Sequence, residues 1–101
     1  MSDGAPSSPE GATARRKAVI CNRRGLHARA AAKFVKLAFE FNAEITVAKG
    51  ESAVSGRSIM GLMMLAASPG STVLVTASGN QATEALEALD QLIQNKFGEE
   101  I

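Results

Sequence analysis

Apolar and polar residues recur along this chain of 101 residues with two different periods. Alternation of apolar and polar positions, or a short β-branched run, is typical of a strand, and apolar residues three and four apart are typical of a helix with one buried face. The first pattern predicts strands over 16–21, 44–49, 52–55 and 71–78, and the second predicts helices over 28–41, 59–66 and 81–96.

The order of these elements is strand, helix, two strands, helix, strand, helix. Only Gly50 and Glu51 separate the second and third strands, so we expect these two to form an antiparallel hairpin. Four short strands with helices between them favour an antiparallel sheet that helices cover on one face only. The predicted fold class is therefore α+β, an open-faced two-layer sandwich with the order βαββαβα.

The first and last predicted helices each carry an apolar stripe that we expect to face the core. The stripe of the first helix comprises Ala31, Phe34, Val35, Ala38 and Phe41. The stripe of the last helix comprises Ala82, Ala85, Leu86, Leu89, Leu92 and Ile93.

The middle helix is unusual because it is apolar on every side, although a short helix on a sheet can bury only about half of its circumference. Ser58 has the right chemistry for its N-cap. We expect the leucines of this helix to face the core and an exposed docking patch to form from Ile59, Met60 and Met63. The alternative is that the patch is extra core beneath a loop.

Composition divides the chain into two parts. Residues 1–14 are rich in Ser, Gly, Pro and Ala and have no apolar period, which predicts a disordered tail. The sequence indicates no function for this tail, and the simplest interpretation is that it only increases solubility. The remaining residues, 15–101, suffice for one domain with a single modest core.

Charge and residue types exclude several classes of function. Eleven basic against ten acidic residues and the absence of Trp and Tyr argue against a nucleic-acid-binding protein. The single cysteine, Cys21, cannot form an internal disulfide, and we expect it in the core of the first strand. No spacing of Cys and His suggests a metal or another cofactor, and no apolar run suggests a signal peptide or a membrane span. We therefore expect a cytoplasmic protein.

The only histidine, His27, lies where a glycine-containing turn gives way to a helix. The first backbone N–H groups of a helix, here those of Ala28 and Arg29, have no intrahelical partner and favour a bound anion. Neutral imidazole is a nucleophile near physiological pH. This placement is what phosphoryl transfer to a ring nitrogen requires. A lone histidine near the start of a helix is, however, more often an ordinary surface or capping residue.

Two motifs resemble those of the HPr family, the histidine phosphocarriers of the bacterial phosphoenolpyruvate-dependent phosphotransferase system. Residues 25–29 (Gly-Leu-His-Ala-Arg) are similar to its active-site motif, and residues 58–63 (Ser-Ile-Met-Gly-Leu-Met) are similar to the motif around its regulatory serine. The resemblance implies that His27 carries the phosphoryl group on Nδ1, that Arg29 assists and that Ser58 is phosphorylated. It also implies the sheet order 1-4-2-3.

The resemblance further implies partners. These are Enzyme I as the phosphoryl donor, an enzyme IIA component as the acceptor, and an HPr kinase/phosphorylase acting on Ser58. The protein would then be a monomeric carrier that forms a phosphohistidine, without being a stand-alone catalyst. The alternative is a signalling module controlled mainly through Ser58.

One residue departs from the family pattern. Ala30 stands where the family usually has proline after the arginine of the motif. Alanine keeps the start of the helix and adds one N–H donor. This change and the ending Phe97-Gly98-Glu99-Glu100 resemble the nitrogen-related, regulatory branch of the system.

Overall fold

The computed structural model of the protein describes residues 13–99. Its strands are β1 (Thr13–Val19), β2 (Glu44–Lys49), β3 (Ser52–Ser55) and β4 (Thr72–Ser78). Its helices are α1 (Ala28–Ala38), α2 (Ile59–Met64) and α3 (Ala82–Gln94), and a 3₁₀ turn (Lys96–Gly98) follows α3. The strands form one sheet in the order β1-β4-β2-β3 with every neighbouring pair antiparallel, which confirms the predicted architecture.

The strand register places one apolar face of the sheet under the helices. Val47 of β2 lies opposite Val75 of β4, and Ala18 of β1 lies opposite Val73. All four side chains are buried, whereas Thr72 on the other face is exposed. A slip of one residue would turn the valines to solvent, so burial selects this register.

The helices complete the core with the stripes that their spacing predicts. The largest fully buried helical side chains are Phe34 of α1, Leu62 of α2, and Leu89 and Ile93 of α3. Phe41 and Leu92, which we expected in the stripes, are only partly buried at their margins. Removal of such side chains from water is the main driving force of the fold.

The start of the domain differs from the prediction. Thr13 and Ala14, which composition assigned to the tail, belong to β1 and pair with Ser78 and Ala77. Pairing with β4 thus places both residues in the strand, although alanine has a weak β-propensity. The rest of the predicted tail, residues 1–12, lies outside the described residues.

The end of the first strand also differs. β1 ends at Val19, two residues earlier than predicted. Cys21 is therefore not a core residue of a strand: it is exposed, and its Sγ lies 3.3 Å from the carbonyl oxygen of Ile93.

The helices are shorter than their apolar patterns predict. The carbonyls of Phe41 and Ala43, beyond the end of α1, accept hydrogen bonds from the Arg57 guanidinium at 3.1 and 2.9 Å. α2 ends at Met64, because Ala66 has a positive φ of 53° that no α-helix accommodates. α3 ends at Gln94, close to a similar reversal at Lys96. Apolar spacing cannot indicate these stops, since each depends on backbone geometry after the stripe.

None of the helices within residues 13–99 has the length and apolar content that crossing a membrane would require.

The backbone geometry of the turn before α1 predicts that a side chain at position 25 would destabilise the protein. Gly25 has a φ of +69°, and a Cβ built on it would lie 2.6 Å from the carbonyl oxygen of Ala67. We expect Gly25→Ala to lower the free energy of unfolding by about 2–4 kcal/mol, because backbone strain and a steric clash add. Urea denaturation measures this loss.

Gly50→Ala is the matched control. Gly50 has a similar φ of +60°, but nothing lies within 4 Å of its added Cβ. We expect it to cost only about 1 kcal/mol, from strain alone. Equal losses in the two variants would show that contact with Ala67 does not constrain this turn.

Candidate functional site

The turn between β1 and α1 is held against the loop between α2 and β4. The N–H of Leu26 donates to the carbonyl of Ala67 at 2.9 Å, and the side chain of Leu26 is buried. Gly25 lies against the same carbonyl, where no side chain would fit. Because the residue before His27 is fixed in this way, the position of His27 is fixed as well.

His27 is the N-cap of α1. Its backbone is extended (φ −80°, ψ −178°), and its carbonyl accepts the first intrahelical hydrogen bond, from Ala31 at 2.8 Å. Its Nδ1 accepts a hydrogen bond from the N–H of Arg29 at 3.3 Å. The ring nitrogen therefore lies at the end of the helix where unpaired N–H groups and the positive end of the macrodipole favour an anion.

A carboxylate contacts the other ring nitrogen. Nε2 of His27 lies 2.5 Å from Oε2 of Glu99, which follows the 3₁₀ turn. The other oxygen of Glu99 accepts a hydrogen bond from Nδ2 of Asn22 at 3.0 Å. Asn22 is completely buried, and its Nδ2 also donates to the carbonyl of Gly25 at 2.8 Å. One buried amide thus joins the turn before α1 to the C-terminal segment.

These contacts keep the carboxylate of Glu99 ionised. The hydrogen bond from Asn22, and then that from His27, lowers the pKa of Glu99 from its ordinary 4.5, and the positive charge of Arg24 acts in the same direction. Burial raises the pKa, but it has less effect than either hydrogen bond. The free energy that these contacts contribute is present at neutral pH and is lost as the pH falls through the lowered pKa.

The surroundings of His27 are open and positively charged. A shallow cavity of about 180 Å³ beside the ring is lined by Arg24, Leu26, His27, Ala66, Ala67 and Ser68. Arg29 is exposed on the first turn of α1. The His27 side chain is 23% exposed, so a ligand can approach it from solvent. The site is suited to a small anionic group.

The second predicted motif lies at a different part of the surface. Ser58 is the N-cap of α2, and its Oγ accepts a hydrogen bond from the N–H of Gly61 at 2.9 Å. α2 has six residues, so Ser58 is about 9 Å along the helix axis from Met64, the last residue before the loop that borders His27. The structure brings together His27 and the N–H groups of Ala28 and Arg29, but Ser58 lies outside this group.

α2 exposes the residues that we assigned to a docking patch. Leu62 and Leu65 are buried, as expected. The exposed fractions are 40% for Ile59, 70% for Met60, 41% for Met63 and 78% for Met64. The alternative that these residues form extra core is wrong, and Met64 joins the patch.

Sequence reasoning missed two residues of the site, Asn22 and Glu99. Asn22 reads as an ordinary turn residue, and Glu99 lies 72 positions after His27. The one available signal was Phe97, a large apolar residue beyond the last helix that could hold the chain end against the core.

Within residues 13–99, no group of three or more His, Cys, Asp or Glu side chains could hold a metal ion.

A family model and several named relatives match most of this chain. A family model described as the PTS HPr component phosphorylation site matches residues 14–95. The phosphocarrier protein NPr of Shewanella violacea is 46% identical over 84 residues, covering 83% of this chain and 92% of the relative. The phosphocarrier protein HPr of Neisseria meningitidis is 49% identical over 80 residues, covering 79% and 90%.

The fold agrees with a solved structure as well. The crystal structure of HPr-C-His from Thermoanaerobacter tengcongensis matches with a TM-score of 0.83 at 44% identity, covering 87% of this chain and 99% of that one. The family model spans both motifs and all four strands except Thr13, the first residue of β1. The chain therefore belongs to the HPr family of phosphocarrier proteins.

Proposed function

We propose that this protein accepts a phosphoryl group on Nδ1 of His27 from a phosphohistidine of Enzyme I and passes it to a histidine of an enzyme IIA component. The observation that carries the proposal is the position of Nδ1, 3.3 Å from the N–H of Arg29 at the start of α1. An anion attached to Nδ1 would meet the positive end of the helix.

The hydrogen bond at Nδ1 has a second use in this proposal. During transfer, the hydrogen bond from the N–H of Arg29 to Nδ1 breaks, and the lone pair of Nδ1 attacks phosphorus. The same N–H can then donate to an oxygen of the transferred group. Arg29 contributes a guanidinium next to the developing charge, and such donors stabilise a transition state.

Ala30 is compatible with this role. It lies in the first turn of α1 and is completely buried, so the methyl group packs while the backbone keeps its N–H. Proline at this position would remove a donor that has no intrahelical partner. Ala30 therefore adds a donor to the proposed anion site.

His27→Ala is expected to accept no phosphoryl group from phosphoenolpyruvate and Enzyme I, because no other imidazole exists. Intact mass measures the gain of one phosphoryl group in the wild type. The phosphoramidate bond should be labile in acid and stable in base. A label that persists in His27→Ala, or that survives acid, would contradict the proposal.

The exposed surface of α2, defined by Ile59, Met60, Met63 and Met64, is our candidate docking surface for Enzyme I. Flexible thioether side chains adapt to different partners. The loop that follows α2 borders His27, so a protein seated on α2 would lie near the ring. Exposure and proximity together support this role.

Met60→Asp should weaken binding of Enzyme I by about tenfold with little change in melting temperature, because an exposed residue contributes to an interface and not to the core. Isothermal titration and thermal denaturation separate the two effects. Val19→Asp is the control, since Val19 is 54% exposed on the open face of the sheet. Equal losses of affinity in both variants would argue against docking on α2.

Ser58 is our proposed regulatory phosphorylation site for an HPr kinase/phosphorylase. It caps the helix that carries the docking surface and is accessible in part. A phosphate would be tolerated at the helix N-terminus, but it would place a charge of about −1.5 to −2 beside an apolar contact. Modification should thus act on partner binding and leave the fold intact.

Ser58→Asp is expected to accept phosphoryl groups from Enzyme I several-fold more slowly than the wild type while keeping its melting temperature, since aspartate also caps helices. Ser58→Ala removes the cap without adding charge and should cost about 1 kcal/mol of stability. An unchanged rate in Ser58→Asp would leave this residue a helix cap only.

Three further assignments complete the proposal. The alanine at position 30 and the ending of the chain support the nitrogen-related, regulatory branch, and the similarity to a protein named NPr is compatible with it. We propose that the protein acts as a monomer. We place it in the cytoplasm, because its phosphoryl groups would derive from phosphoenolpyruvate.

A further inference from the structure

The C-terminal segment returns to the site along an unusual path. Lys96, Phe97 and Gly98 all have positive φ values, of 58°, 56° and 78°. This conformation costs about 1–2 kcal/mol for each residue other than glycine and persists only where the surroundings enforce it. Backbone strain of this kind indicates that the contacts of this segment enforce its conformation.

Burial of one side chain and four hydrogen bonds hold the segment in place. The ring of Phe97 is completely buried in the core, and its carbonyl accepts a hydrogen bond from Nζ of Lys33 at 2.7 Å. The N–H of Glu99 donates to the carbonyl of Lys96 at 2.9 Å. Asn22 then binds one oxygen of Glu99 and leaves the other on His27. The carboxylate is thus held in one position, whereas residues near a chain end are usually mobile.

The two hydrogen bonds of the ring determine which of its nitrogens carries the proton. A nitrogen that accepts a hydrogen bond from a backbone N–H carries no proton, so Nδ1 of the neutral ring is unprotonated. The proton of the neutral ring is then on Nε2, where it donates to Oε2 of Glu99. Only this tautomer leaves the lone pair of Nδ1 available for attack.

We propose that Glu99 is a positioning residue for phosphoryl transfer at His27. It keeps the proton on Nε2 and offsets the positive charge that the ring gains when Nδ1 becomes phosphorylated. This inference rests on the proposed function, because it assigns a role in the same transfer.

Phosphoryl transfer exchanges one bond between phosphorus and nitrogen for another. The lone pair of Nδ1 forms a bond to phosphorus as the bond between phosphorus and the donor nitrogen breaks, and that electron pair returns to the donor ring. The proton on Nε2 stays in place, so the phosphorylated ring of His27 is cationic. The carboxylate of Glu99, ionised at neutral pH, lies against this cation and stabilises it.

The charges around the ring explain why such a carboxylate matters. Arg24 lines the cavity beside the ring, and Arg29 lies on the first turn of α1. Both favour the incoming anion, but both oppose a positive charge on the ring itself. Glu99 supplies the opposite charge on the side of the ring that faces away from Nδ1, where it does not compete with the phosphoryl group.

Glu99→Ala tests the role by two measurements. ¹⁵N NMR of the unphosphorylated protein reports the tautomer of His27, and we expect the form with a proton on Nδ1 to rise several-fold. The rate of phosphoryl acceptance from Enzyme I and phosphoenolpyruvate should fall by about tenfold, the size expected for loss of a charge-assisted hydrogen bond. Full labelling should still be reached in time, since His27 is intact.

Glu99→Gln removes the charge while keeping the size of the side chain. It should slow acceptance as well, which isolates the part of the effect that depends on charge. Glu51→Ala is the control, because Glu51 is an exposed carboxylate in the turn between β2 and β3. It should leave both the tautomer and the rate unchanged, and melting curves should show that all variants are folded.

The outcomes distinguish the two proposals. A wild-type protein that takes no label overturns the proposed function and the role of Glu99 with it. A wild type that is labelled, together with Glu99 variants that match its rate, overturns the role of Glu99 alone, whether or not the tautomer changes. A tautomer that is unchanged in Glu99→Ala overturns the assignment of the proton to this contact.

Discussion

The hydrogen bond between Leu26 and Ala67, with Gly25 packed against the same carbonyl, is the constraint on which the site depends. It joins two connections that are about forty residues apart in the chain, one before α1 and one after α2. Because of it, the helix N-terminus, the histidine and the end of α2 form a single surface. Neither connection could hold this geometry alone, since short loops without partners are mobile.

The site uses both nitrogens of one imidazole ring for different purposes. Nδ1 faces the backbone donors of α1, and Nε2 faces the carboxylate of Glu99. A helix N-terminus favours a bound anion, but it also disfavours positive charge nearby. In the transfer that we propose, the carboxylate of Glu99 on the opposite side of the ring resolves this conflict, because it offsets the positive charge that the ring gains with the phosphoryl group.

Family membership and site geometry contribute different parts of the interpretation. The matches to HPr and NPr proteins establish the family of carriers to which the chain belongs. The hydrogen bonds at His27 and the exposed methionines of α2 give the proposed transfer and docking roles a physical basis. The contact with Glu99 extends the site beyond the motif of residues 25–29.

Much of the fold followed from the sequence by itself. The alternation around Val47 and the helical spacing around Phe34 and Leu89 predicted elements and core positions, because one-sided burial leaves a direct trace in residue order. Ser58 is predicted as a helix cap, and His27 at the start of α1, for a similarly local reason, since the start of a helix depends on residues no more than three positions away. Features that depend on residues close together in the chain can therefore be predicted from the sequence.

Tertiary structure alone decided the rest. The strand positions of Thr13 and Ala14 depend on pairing with β4, and the exposure of Cys21 depends on where that pairing ends. Glu99 reaches His27 only because Phe97 is buried and the backbone reverses at Lys96. Apart from the large apolar Phe97, residue order carries no sign of this contact between groups 72 positions apart, because it arises only when the whole core is packed.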